Sequence, residues 1–223
     1  MRPFVAILRK DLLLELRSGR TTTALVSLAL LVLVVLAFAL DRTITGGSDA
    51  AAGAMWVALV FAGMLGATRV MLAEQENGCL RALLLSPVDR ATLYAAKLSA
   101  AFIFMLGAAF AAMVLAILFF NLEFSSVAGT LAIALLLGAL GFSALATLLA
   151  AISARARGGE LLLPILIVPL FVPALIAGVK ASASALSGAQ FTAAAQWFGV
   201  LIAFDVLFVA AGYLLFEHVV GEE

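Results

Sequence analysis

Six apolar runs follow one another with very little between them: 21–40, 53–73, 97–120, 127–152, 161–179 and 195–216. Crossing the hydrocarbon core of a bilayer takes about 20 apolar residues in a helix. The composition leaves no other solvent for them. Of 223 residues, 65% are hydrophobic and 12% charged, against about 45–50% and about 25% in a soluble domain. In lipid every backbone N–H and C=O must be paired within the segment, which makes each run a helix. The sequence therefore predicts an all-α integral membrane protein. Residues 1–223 form one membrane domain, with an interfacial helix at 1–20, six transmembrane helices and a loop at 74–96.

Lysine and arginine placement orients the spans. If the N-terminus faces the cytoplasm, the inner side carries Arg2, Arg9, Lys10, Arg17, Arg20, Arg69, Arg81, Arg90, Lys97, Arg155 and Arg157. The outer side carries only Arg42 and Lys180. Both termini are expected in the cytoplasm, in the cell inner membrane. "AFA" at 37–39 resembles a signal-peptidase site, but the apolar run before it is longer than a signal peptide's core.

The leader "RPFVAILRKDLLLELRSGR" has helical periodicity. Phe4, Val5, Leu8, Leu12 and Leu16 share one arc, and the basic residues share another. That pattern suits a helix lying in the headgroup region. Asp11 and Glu15 fall on or beside the apolar arc, which suggests that the helix also touches a cytoplasmic partner.

Between the second and third runs stands "ENGCLRALLLSPVDRATLYAAK". Asn77-Gly78 is a turn signal. Leu80, Leu83 and Leu84 share one face of a short helix, with Arg81 on another. Cys79 reads as a small hydrophobe within it, and Leu85 ends the run. Ser86 is placed to cap a new helix, with Pro87 at its first position and Asp89 as the acidic third residue. So short a helix is marginal alone and needs something to pack on. One reading is an interfacial helix on its own bundle. The other is a coupling helix whose leucines dock into a soluble partner.

Several chemistries have no residues to carry them. The net charge is zero, unlike the basic stripe of a nucleic-acid binder. No lysine follows a glycine, so no phosphate-binding loop is present. There is one Cys and one His, too few for a Cys metal cluster or an H-E-x-x-H site. His218 falls just past the last run. No catalytic residue, no metal ligand and no bound cofactor are expected, and the chain is expected not to be an enzyme. Any ATP hydrolysis would belong to a separate partner.

Asp205 sits near the middle of the last span, where an ionisable residue is a candidate functional site. It reads either as a substrate or proton site, or as one end of a hydrogen bond to Ser143, Thr147 or a neighbouring chain. Pro164, Pro169 and Pro173 read as a bent helix or a flexible gate. Ala139, Ser143, Thr147 and Ala151 make a small-residue ridge, suited to the bundle or to a dimer.

"GAMWVA" (53–58), "NGCLRALLLSP" (77–87) with "AAKL" (95–98), and "RGGELLLPILIVPLFVPALI" (157–176) resemble the CcmB family. These are the membrane subunits of the haem-handling transporter of cytochrome c maturation. The matching residues are Gly53, Trp56, the run from Gly78 to Pro87, Lys97, Arg157, Gly158, Gly159, Pro169 and Pro173. The resemblance implies an ABC-2-type permease of six helices, working as a homodimer. It also implies a CcmA-like ATPase, CcmC-like and CcmD-like membrane proteins, a CcmE-like haem chaperone reached through the complex, and haem as a possible substrate. With such an ATPase as the soluble partner, residues 79–85 are expected to form a transverse helix pressed into it, bounded by Gly78 and Ser86-Pro87, so that residues 78–87 make the ATPase-coupling segment. Three features depart from the family's pattern: Thr68 stands where an acidic residue usually precedes the arginine, the first span has no proline, and Asp205 has no placed counterpart. A generic ABC-2 exporter of a lipid, drug or glycan, and a non-energised membrane scaffold, are the competing readings.

Overall fold

A computed structural model describes residues 2–18, 20–39, 47–76, 89–120, 128–153, 159–189 and 191–221. These form seven helices: α1 (Arg2–Ser18), α2 (Arg20–Ala39), α3 (Gly47–Glu76), α4 (Arg90–Phe120), α5 (Ala128–Ser153), α6 (Gly159–Leu186) and α7 (Phe191–Gly221). Among the described residues every element is helical, as a chain immersed in lipid requires.

Five helices are long and apolar enough to cross a membrane: Gly47–Ala67, Arg90–Phe120, Gly129–Ser153, Leu162–Leu186 and Phe191–Phe216. Helices α3, α4, α6 and α7 extend past the runs read from hydropathy at one or both ends, because their end turns carry polar residues that a hydropathy reading trims away. The apolar part of α2, Val26–Ala39, is shorter than these five. The chain is thus a multi-pass membrane protein.

Helix α5 is the centre of the bundle and packs on α3, α4, α6 and α7. Its composition explains the position. Gly138, Ala139, Gly141, Ser143 and Ala144 are all buried, and small side chains let backbones approach closely where no hydrophobic force drives helices together. Burial also divides the four-residue ridge. Ala139 and Ser143, its first two residues, face the chain's own helices, whereas Thr147 and Ala151 are half-buried.

The ends of the helices follow local rules. Helix α4 starts at Arg90, with Leu93 N donating to Asp89 O at 3.1 Å. Asp89, a favoured N-cap residue, is therefore the cap, where the sequence suggested Ser86. Ser86 and Pro87 themselves lie outside the described residues. At its other end α6 closes through Gly188, whose φ of 70° is the left-handed conformation that glycine adopts freely. Gly188 N donates to Ala185 O at 3.1 Å and Ala189 N to Ser184 O at 3.1 Å. Pro164, Pro169 and Pro173 lie within α6, which remains one helix through all three. The Pro169 and Pro173 rings are exposed on its outer side.

Candidate functional site

Three sites hold the bundle together, and all three pair an aromatic or polar side chain with a glycine on another helix. The first is built on Trp56 of α3, which is fully buried. Its ring lies against Gly138 of α5 and Gly178 of α6, and a Cβ at either position would collide with ring carbons. Trp56 Nε1 donates to Ser182 Oγ of α6 at 2.9 Å. One side chain therefore ties three helices together, and its one polar atom is satisfied. Gly53, one turn earlier on α3, has open space around it, so packing among the described residues does not require a glycine there.

The second site lies at mid-depth. Phe142 of α5 packs over Gly63 of α3, beside Met105 of α4. It meets Phe171 of α6 edge-on at 5.2 Å, and Phe171 meets Phe204 of α7 edge-on at 5.7 Å. Beside Phe204 is Asp205, which is buried against Gly141 of α5. The expected hydrogen bond from Asp205 to Ser143 or Thr147 is not made. Neither carboxylate oxygen, nor Ser143 Oγ, has a partner among the described residues. Helical geometry gives the reason: at 100° per residue, Ser143 projects about 200° around α5 from Gly141. Thr147 Oγ1 donates instead to the Ser143 carbonyl of its own helix, at 2.7 Å. With Asp205 only 4% exposed, a neighbouring chain does not reach it either.

The third site gathers the start of α4, the end of α7 and helix α1. Tyr94 of α4 lies over Gly212 of α7, where any Cβ would strike its hydroxyl. Its ring meets that of Phe216 at 5.5 Å. Ile7 of α1, Leu93 and Ala96 complete this cluster, with Phe4 and Ala151 packed against it. Next to it Lys97 Nζ pairs with Asp11 at 3.0 Å, and Lys10 pairs with Asp11 at 3.1 Å. Asp11 on the apolar arc therefore has an ion-pair partner within the chain, Lys97. Helix α1 has two apolar sides. Phe4, Ile7 and Asp11 turn toward α4, whereas Val5 is 57% exposed and lines an outward groove with Leu8, Arg9, Leu12 and Leu13.

The Asp11 and Lys97 side chains are only 15% and 12% exposed, between a surface pair and a buried one. Lys97→Ala should therefore loosen α1 by about 1–3 kcal/mol. A spin label on α1 should gain mobility in that variant and stay ordered in wild type at high salt. An unchanged label would show that the apolar cluster alone holds α1.

Other sequence candidates fall elsewhere. Gly78, Cys79, Leu80, Arg81, Leu83, Leu84, Leu85, Ser86 and Pro87 lie outside the described residues, as do Arg157 and Gly158. Gly159 begins α6. The residues that sequence reasoning missed are the glycines and their counterparts: Gly138, Gly178 and Ser182 for Trp56, Gly141 for Asp205, and Tyr94 with Gly212. The available signal was glycine inside an apolar span, which marks close helix approach.

The pattern of the CcmB protein family matches residues 2–219. A heme exporter protein B of Bradyrhizobium diazoefficiens is 28% identical over 213 residues, covering 95% of this chain and 94% of that protein. The heme exporter protein B of Rhodobacter capsulatus is 30% identical over 177 residues, 78% of this chain and 80% of that one. That of Pseudomonas aeruginosa is 30% identical over 158 residues, 68% and 67% of the two chains. Gly53, Trp56, Lys97, Gly159, Pro169 and Pro173, which carried the sequence resemblance, all lie within this match, and on that breadth the chain belongs to the CcmB protein family.

Proposed function

We propose that this chain is the membrane permease subunit of an ABC transporter complex that handles haem in cytochrome c maturation. It would cross the inner membrane six times in the ABC-2 manner, with α2 as the first span, both termini cytoplasmic and a second copy completing the permease. A CcmA-like ATPase would hydrolyse ATP, and the work would serve release of the haem-loaded CcmE-like chaperone or export of haem. CcmC-like and CcmD-like proteins would complete the assembly. The observation that carries this reading is the family match across nearly the whole chain, on a helical membrane architecture.

The third site supplies a physical reason to place the ATPase contact at residues 78–87. These residues join the end of α3 to the start of α4. Four residues into α4, Leu93 and Tyr94 are already locked to α1 and to the end of α7. A push on the segment would therefore reach α3, α4 and α7 together rather than dissipate.

Leu83→Asp or Leu84→Asp would put an unpaired charge into an apolar contact, at a cost of a few kcal/mol. The variant should insert normally and lose both the copurifying ATPase and c-type cytochromes in a complemented null strain. Retention of the ATPase with full function would end the coupling role of this segment. A wild-type chain that brings down an ATPase but leaves cytochromes unaffected when deleted would point to an ABC-2 exporter of another substrate.

A further inference from the structure

Helix α7 buries one continuous seam, in which Leu201, Phe204, Asp205, Gly212 and Phe216 turn inward. Asp205 is the one ionisable residue in that seam. Its Oδ1 occupies the space that a side chain at Gly141 would fill. It therefore reaches the backbone of the central helix rather than lipid or an aqueous surface, with both oxygens unpartnered among the described residues.

The helices packed on α7 are α5, α6 and α4, with α1 joining only the cluster at its far end around Phe216. None of them brings a charge to this depth. Helix α5 has no titratable residue from Ala128 to Ser153. Helix α6 has Glu160 in its first turn and Lys180, which is exposed, nine residues beyond the Phe171 that meets Phe204. Helix α4 has Arg90, Tyr94 and Lys97, all near its start. Tyr94 stands at Gly212, seven residues or about 10 Å along α7 from Asp205 at 1.5 Å per residue. On α7 itself, Tyr213 is exposed and Glu217 and His218 lie in the last turns. An ionised carboxylate with neither a cation nor a hydrogen-bond donor beside it is not a stable occupant of an apolar interior.

We propose that Asp205 is a proton-binding site of the α5–α7 seam. The carboxyl keeps its proton while the two helices are closed on each other. When the seam parts and water enters, the O–H bond breaks, the proton passes to water and the carboxylate is left hydrated. The ligand is the proton itself. This goes beyond the permease reading and needs neither the ATPase nor haem.

Infrared difference spectroscopy of the full chain in liposomes tests it, with Asp205→Asn as the subtraction partner. Wild type should show a carboxylic-acid C=O band that Asp205→Asn lacks, unchanged from mildly acidic to mildly alkaline buffer. Gly141→Val drives a side chain into the Oδ1 position and should part the seam. Its acid band should give way to carboxylate bands as the buffer is made alkaline. Gly141→Ala should show the same change to a smaller extent, and it serves if the valine variant fails to insert. A carboxylate signal from Asp205 in wild type at neutral pH would overturn the proposal. So would an identical titration in wild type and the Gly141 variants.

Discussion

Trp56→Ala should lower the stability of the helix bundle by about 3–5 kcal/mol, the range for removing a large buried aromatic side chain. The loss has two parts. The cavity would open between α3, α5 and α6 at once, because Gly138 and Gly178 have no side chains to move into it. Ser182 Oγ would also lose its donor. Trp56→Phe separates the two, since it keeps most of the ring and removes the hydrogen bond. Side-chain hydrogen bonds between membrane helices contribute on average about 0.6 kcal/mol, at most about 1.7, so the phenylalanine variant should retain most of the stability. Unfolding of the reconstituted chain by SDS titration reads both. Equal losses in the two variants would show that the hydrogen bond, not the packing, holds the site.

Gly212→Val should have the next largest effect. The valine would occupy the position of the Tyr94 hydroxyl and force α4 and α7 apart where α1 clasps them. Overpacking of this kind costs about 1–3 kcal/mol. Tyr94→Ala in the same chain should recover much of it, because the ring that blocks the valine is gone. A double-mutant cycle gives the coupling directly. Additive losses would mean that the two side chains do not compete for one space. The same variant bears on function: under the permease reading it should weaken transmission from residues 78–87 to α7 while leaving the ATPase bound.

Much of the architecture was legible in the residues. Of the six apolar runs, five lie in helices long enough to cross a membrane and the first lies in α2, while the leader's periodicity marked α1. Asp205 was legible as an oddity, because an aspartate within an apolar run has few ordinary explanations. Its neighbour was not legible. Ser143 and Thr147 were the chemically reasonable partners, and both are spent or turned elsewhere. Asp11 went the other way: it looked misplaced on an apolar arc until Lys97, eighty-six residues later, was found 3.0 Å from it.

What the sequence determined alone is the solvent, the secondary structure and the family. Those depend on run length, composition and punctuated segments, each of which is local. Which side of each helix faces protein was decided only by the tertiary structure. For a soluble helix the apolar stripe marks the buried face, but in a bilayer the lipid is as apolar as the core. Leu207 of α7 is 61% exposed and Leu201, six residues before it, is fully buried; nothing in their side chains distinguishes them. The difference comes from close approach. Helices meet where glycine, alanine and serine let backbones come together and a ring from the other side fills the gap, as Trp56 does between Gly138 and Gly178. Such a match exists only between residues far apart in the chain, and only the packed bundle brings them together.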